Sequence, residues 1–254
     1  MLKFKKIFLV LNLLVTNIHS SDVNNNYNEI ILKLQKLNYT SQQIQQILTY
    51  VESVKNNSLP YSIVINSINE AFLKKIPFEK FFPKFKNDVL NSLLAKQLIQ
   101  KVTTKNFYPK EYEYSIILTS KILDSKVTEE EYTKFMILLS DNFTFEDALY
   151  MVNYYSVFKK CFPLEEIELE GKKIKNPSEI LFLKYSNRSL KEMSLIVNHI
   201  LKYFYISKQN KELFELLFKH STLSTNKLIK KIRQLYDEKV KKEVKQEVQL
   251  DKIY

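Results

Sequence analysis

Thr40-Ser-Gln-Gln43-Ile44-Gln-Gln-Ile47-Leu48-Thr-Tyr-Val51-Glu-Ser-Val54 is the stretch that decides the fold. Its apolar residues Ile44, Ile47, Leu48, Val51 and Val54 recur three and four positions apart, which places them on one face of an α-helix. Thr40 and Gln43 stand at capping-box spacing. The threonine hydroxyl can accept from the amide three residues on, while the glutamine side chain reaches back to the threonine amide. A polar start followed by an apolar stripe therefore predicts a helix over 41–56. The same start recurs at Thr128-Glu-Glu-Glu131 and Ser189-Leu-Lys-Glu192, and Asn176-Pro177 sets an asparagine cap before a proline at the first helical position.

Working outward, the spacing predicts helices over roughly 28–37, 41–56, 59–75, 84–102, 109–124, 128–140, 144–161, 177–185, 189–206, 209–220 and 225–248. Their ends are expected at asparagines such as Asn57, Asn142 and Asn210, which tolerate the left-handed conformation usually given to glycine. Glycine itself occurs once, as Gly171, in 254 residues. Phosphate-cradling loops, dinucleotide turns and nucleophile elbows all rely on glycine, so this composition argues against them. Ile167-Glu-Leu-Glu-Gly-Lys-Lys-Ile174 alternates around that glycine and reads as a short non-helical linker or a tiny β-hairpin. The expected fold class is all-α, an array of helical hairpins with a short irregular segment near 166–175.

The N-terminus carries Lys3, Lys5 and Lys6, then an apolar run over Ile7–Val15, then a polar exit ending at His19-Ser20. That order is the one of a secretory signal peptide, and the run is too short for a membrane span. The expected organisation is a signal peptide over 1–20, an N-terminal helical-hairpin domain over 22–165, a linker over 166–176, and a C-terminal helical domain over 177–254 ending in a charged helix. Export is the localisation this implies, to the periplasm or cell envelope, with no transmembrane span in the mature chain. The lone Cys161 rules out an intramolecular disulfide framework and reads as a small buried apolar residue.

The formal net charge of +11 points to an anionic partner. The surface expected to meet it is the last helix, with Lys227, Lys230, Lys231, Arg233, Lys241, Lys242 and Lys245 as contacts. Acids interleave there (Asp237, Glu238, Glu243, Glu247), as on a solvated helix face, and only two arginines occur in the chain, Arg188 and Arg233. No nucleic-acid module is evident, so nucleic acid is not the expected partner. His199 and His220 lack a second histidine or cysteine at ligand spacing, and Glu129–Glu131 and Glu165–Glu166 sit where acids favour helix starts. No catalytic, cofactor or metal residue is expected.

Two blocks echo one another. Phe72-Leu-Lys-Lys-Ile-Pro-Phe-Glu-Lys-Phe81 aligns with Phe158-Lys-Lys-Cys-Phe-Pro-Leu-Glu-Glu-Ile167, sharing Phe72/Phe158, Lys74/Lys160, Pro77/Pro163 and Glu79/Glu165. Each reads as a helix, a proline stop and the first turn of a new helix, either a degenerate duplication or two joints of similar composition. On the signal-like start with no cysteine after it, the all-helical body and the Lys/Asn-rich composition, the chain resembles small exported all-helical proteins of spirochaetes and other AT-rich bacteria. In layout it also resembles tetratricopeptide-like helical-hairpin proteins. The resemblance implies a non-enzymatic scaffold that binds another cell-envelope protein. Two alternatives remain: a basic surface-association module for anionic polysaccharide or lipid headgroups, and a hydrolase with an unrecognised site.

Overall fold

The structure is a computed structural model that describes the backbone of residues 23–163, 165–206 and 210–250, and the side chains of 27–163, 165–204 and 211–238. The signal-peptide segment 1–20 lies outside the described residues. Helices α1 (Val23–Lys36), α2 (Ser41–Asn56), α3 (Ser62–Lys74), α4 (Phe78–Val102), α5 (Tyr112–Asp124), α6 (Glu129–Leu139) and α7 (Phe145–Cys161) come first. A hairpin of β1 (Glu166–Leu169) and β2 (Lys172–Lys175) follows. Then come α8 (Pro177–Tyr185), α9 (Leu190–Ile206), α10 (Asn210–Lys219) and α11 (Thr225–Leu250). The fold is all-α with one small hairpin. Ile44, Ile47, Leu48, Val51 and Val54 are the buried residues of α2, as their spacing predicts.

Three capping boxes hold these helix starts. The Thr40 amide donates to Gln43 Oε1 at 2.8 Å while the Gln43 amide donates to Thr40 Oγ1 at 3.2 Å. Thr128 with Glu131 and Ser189 with Glu192 repeat the reciprocal arrangement. Thr144 supplies a further cap to the Asp147 amide. Asn176 does not cap as expected. It stands before Pro177 in the left-handed region at φ 48°, with no side-chain bond to the helix. Its amide instead donates to the Glu165 carbonyl at 2.8 Å, so the hairpin base claims the backbone and dictates the turn.

The helix-ending residues also differ from expectation. Positive φ falls at Asn38, Ser58, Lys75 and Lys126, and Asn210 opens α10 instead of closing α9. Ser58 takes the turn role assigned to Asn57. Helix α4 begins ahead of the predicted start and runs through Pro83. The proline removes one amide donor near the helix start. Against that loss, Phe78 stacks on Phe82 at 5.0 Å and Phe81 on Phe85 at 5.3 Å, with Phe81 and Phe85 buried. Aromatic burial one turn apart carries the helix across the proline.

After Pro163 the chain enters β1, not a new helix, so the second echo block departs from the first. Leu169 pairs with Lys172 around a two-residue turn in which Glu170 (φ 51°) and Gly171 (φ 74°) are both left-handed. That is the type I′ geometry matched to the twist of a hairpin, and it accounts for the single glycine.

Contacts divide the described residues into two compact units, the first reaching to 56 and resuming over 61–87, the second made of 57–60 and the described residues from 88 onward. The division lies near Asn87, and the 166–176 segment expected to separate domains is internal to the second unit. Within each unit, alternate helices run in the same direction. In the first unit Lys33 meets Asn69 at a separation of 36 residues and Tyr39 meets Ile76 at 37, which aligns α1 with α3. In the second, Tyr114 meets Tyr150 and Lys110 meets Glu146, both at 36, which aligns α5 with α7. Arg188 meets Thr225 at 37 and His199 meets Arg233 at 34, aligning α9 with α11. A near-constant separation along a helix pair requires parallel axes. Helices α6 and α8 meet through Lys134 and Glu179, 45 residues apart with the hairpin lying between.

Candidate interaction surface

The residues expected to contact an anionic partner separate into three groups. Lys227, Lys230 and Arg233 are exposed on α11, while Lys231 is half-buried. Lys241, Lys242 and Lys245 lie on the α11 backbone, and their side chains fall outside the described residues. The helix is anchored by Leu228, Ile229 and Ile232, which are buried. Arg233 does not stand alone: its Nε donates to His199 Nε2 at 3.2 Å. The other ring nitrogen of His199, Nδ1, lies 2.8 Å from the Leu195 carbonyl. A neutral ring protonated on Nδ1 satisfies both contacts, donating to the carbonyl and accepting from the arginine.

Arg188 is used quite differently. Its guanidinium donates to Thr225 Oγ1 at 2.8 Å, to the Ser221 carbonyl at 2.8 Å and to the Leu223 carbonyl at 2.6 Å. It also lies over the Tyr185 ring at 5.1 Å. The Thr225 hydroxyl in turn donates to Oε1 of Glu192, the residue that closes the capping box of α9. One arginine thus ties the start of α9 to the turn that launches α11, and so positions the basic helix. The bonds to Thr225 and Ser189 hold the Glu192 carboxyl below the usual carboxylate range.

A second polar cluster gathers at Glu131. One carboxylate oxygen accepts the Tyr155 hydroxyl at 2.6 Å, and the other accepts Lys159 and the Thr128 amide. Burial pushes this carboxyl up, but the lysine, the amide and the hydroxyl outweigh it and hold it below its ordinary value. The cluster ties α6 to α7. A carboxylate already accepting from three donors is a fixed negative post, not a free base.

Cys161 is buried, and desolvation pushes its thiol up to about 12, so its structural reading fits. His220 follows the last turn of α10, its amide bonded to the Leu216 carbonyl. Among the described residues no cluster of histidine, cysteine and acidic side chains could hold a metal ion. No helix among them is long and apolar enough to cross a membrane.

Large apolar side chains also remain outside the core. Ile137 (59% exposed), Leu138 (48%), Leu183 (39%) and Leu195 (40%) face solvent in the second unit. Lys134 pairs with Glu179 across α6 and α8, and Leu138 and Leu183 each sit one turn beyond that pair. Each continues the face of its own helix past that ion pair as exposed apolar surface.

Sequence reasoning singled out Arg233 and the lysines of α11, gave no role to Arg188 or His199, and missed the exposed Ile137, Leu138 and Leu183. In so lysine-rich a chain the two arginines themselves were the available signal, because planar, multi-donor contacts select arginine over lysine. No protein-family model, no curated protein and no solved structure matches this chain.

Proposed function

We propose that the chain is an exported, non-enzymatic helical scaffold that binds another protein of the cell envelope. The observation that supports it best is the exposure of Ile137, Leu138 and Leu183 on the ion-paired helices α6 and α8 of the second unit. Clustered apolar surface carries a solvation cost that is relieved when a partner covers it. The lysine start and apolar run of the sequence support export as the route to that partner. The exposed Lys227 and Lys230 favour, as a second reading, association with anionic polysaccharide or lipid headgroups.

The test is isolation of the chain from the envelope fraction of its host after cross-linking, with mass spectrometry of its N-terminus. The reading expects a mature chain starting near Ser21 and one discrete cross-linked envelope protein, lost when Leu138 and Leu183 are both changed to Glu. A chain retaining Met1 in the cytosol, or cross-links indifferent to those substitutions, would overturn it.

A further inference from the structure

The two arginines differ in what they leave open. Arg188 spends both terminal nitrogens on acceptors of its own chain, and its side chain is 14% exposed. Arg233 is exposed and, among the described residues, spends only Nε, on His199. No ion pair reaches it among the described residues. A guanidinium held by its Nε edge presents the opposite edge, the two terminal nitrogens, as a fork of parallel donors. The histidine is itself fixed by the Leu195 carbonyl, so the fork is oriented before any ligand arrives.

The surroundings are basic and partly apolar. On α9, Lys202 lies one turn beyond His199 and is exposed. On α11, Lys230 lies one turn before Arg233 and is exposed. Since α9 and α11 run parallel through the 199/233 contact, the two lysines flank the fork from opposite sides. Asp237, one turn after Arg233, is the acid nearest along α11, and Glu192 is engaged with Ser189 and Thr225. Leu195, one turn before His199, is 40% exposed.

Resting on the reading of the chain as a protein-binding scaffold, we propose that this surface docks an acidic peptide segment of the partner, one carboxylate seated bidentately on Arg233. Lys202 and Lys230 take flanking carboxylates, and Leu195, on the Lys230 side of the fork, takes an apolar residue. A fork matches the geometry of a carboxylate, and the neighbouring leucine suits a peptide better than a sugar chain.

The experiment uses the full mature chain and a fluorescent peptide, Glu-Glu-Leu-Glu-Glu, with Gln-Gln-Leu-Gln-Gln as the uncharged control, read by anisotropy at low and raised salt. Binding of the acidic peptide alone is expected, weakening as salt rises. Arg233→Gln should weaken it about tenfold, the loss of one charge-assisted contact. Arg233→Lys should also weaken it, because an ammonium keeps the charge and loses the fork. The Lys202→Gln, Lys230→Gln pair leaves the His199 contact untouched and should cost several-fold, so the answer does not hang on one variant. Full affinity in either Arg233 variant with an unchanged circular dichroism spectrum would overturn the proposal, as would tighter binding to phosphatidylglycerol vesicles than to the peptide. If Arg233→Gln binds peptide normally but still forms the Leu138-dependent cross-link, this site is wrong and the scaffold reading stands. Peptide binding that depends on Arg233, with no envelope cross-link in cells, would support this site and sink that reading.

Discussion

Replacing Arg188 with methionine removes the charged tie between α9 and the turn before α11, while the methionine stem can still lie on Tyr185. Three donated bonds disappear, at 2.8, 2.8 and 2.6 Å. Hydrogen bonds from charged groups contribute about 1.5–3 kcal/mol each in net terms. The Ser221 and Leu223 carbonyls are only half-buried and recover part of their solvation from water. Thr225 keeps its bond to Glu192. Water therefore offsets part of a sum of about 4.5–9 kcal/mol, and the expected loss falls below its lower end, at about 3 kcal/mol. For a unit of this size that lowers the melting temperature by about 6–12 °C. Arg188→Lys should cost about 2 kcal/mol, because an ammonium on a shorter reach cannot serve all three acceptors. Urea unfolding followed by far-UV circular dichroism measures both. A loss below about 1 kcal/mol for Arg188→Met would refute the reasoning, since the network would then be decoration on a turn held by its apolar contacts.

Cys161, buried with its thiol pushed up to about 12, should resist a maleimide at pH 8 and react only once urea has unfolded the chain; prompt labelling of the native protein would contradict its burial. Glu131 is held below its ordinary value, so its ionised form adds stability above about pH 4.5, lost as pH falls through its folded value. Glu131→Gln should flatten that acid limb in a urea midpoint measured from pH 7 to pH 3, and an unchanged limb would remove the cluster from the account. Gly171→Ala places a side chain at φ 74° with open space around its Cβ, so the cost is conformational strain alone, about 1 kcal/mol. Amide exchange should quicken in the hairpin and stay the same in α7; a change spread over the helices would mean the hairpin is structurally coupled to them.

Local signals were legible, and distant ones were not. The boxes at Thr40, Thr128 and Ser189 closed as read because each needs only four residues of its own chain. The stripe of α2 was equally local. Asn176 has the residue type and the following proline of a cap, yet the hairpin base takes its backbone, a claim made from Glu165 across the whole β-ribbon. The helix expected over 84–102 starts earlier because Phe78, Phe81, Phe82 and Phe85 stack on either side of Pro83. The parallel register of alternate helices left no sequence repeat because the meeting pairs share geometry and no chemistry. Lys33 with Asn69, Tyr114 with Tyr150 and His199 with Arg233 have nothing else in common. The basic helix was visible as charge, but the histidine that orients Arg233 lies one helical hairpin away and could be found only in three dimensions.

The central claim is that the second unit meets a protein partner through its solvent-facing helices. A photo-reactive residue placed at Leu138, and in a separate strain at Leu73 of the first unit, tests it in living cells. Both side chains are solvent-facing, at 48% and 80%, so exposure alone does not favour Leu138. The account predicts one discrete adduct with a second protein from Leu138, and none of that mass from Leu73. Equal, diffuse labelling at both positions, or labelling of lipid only, would contradict it.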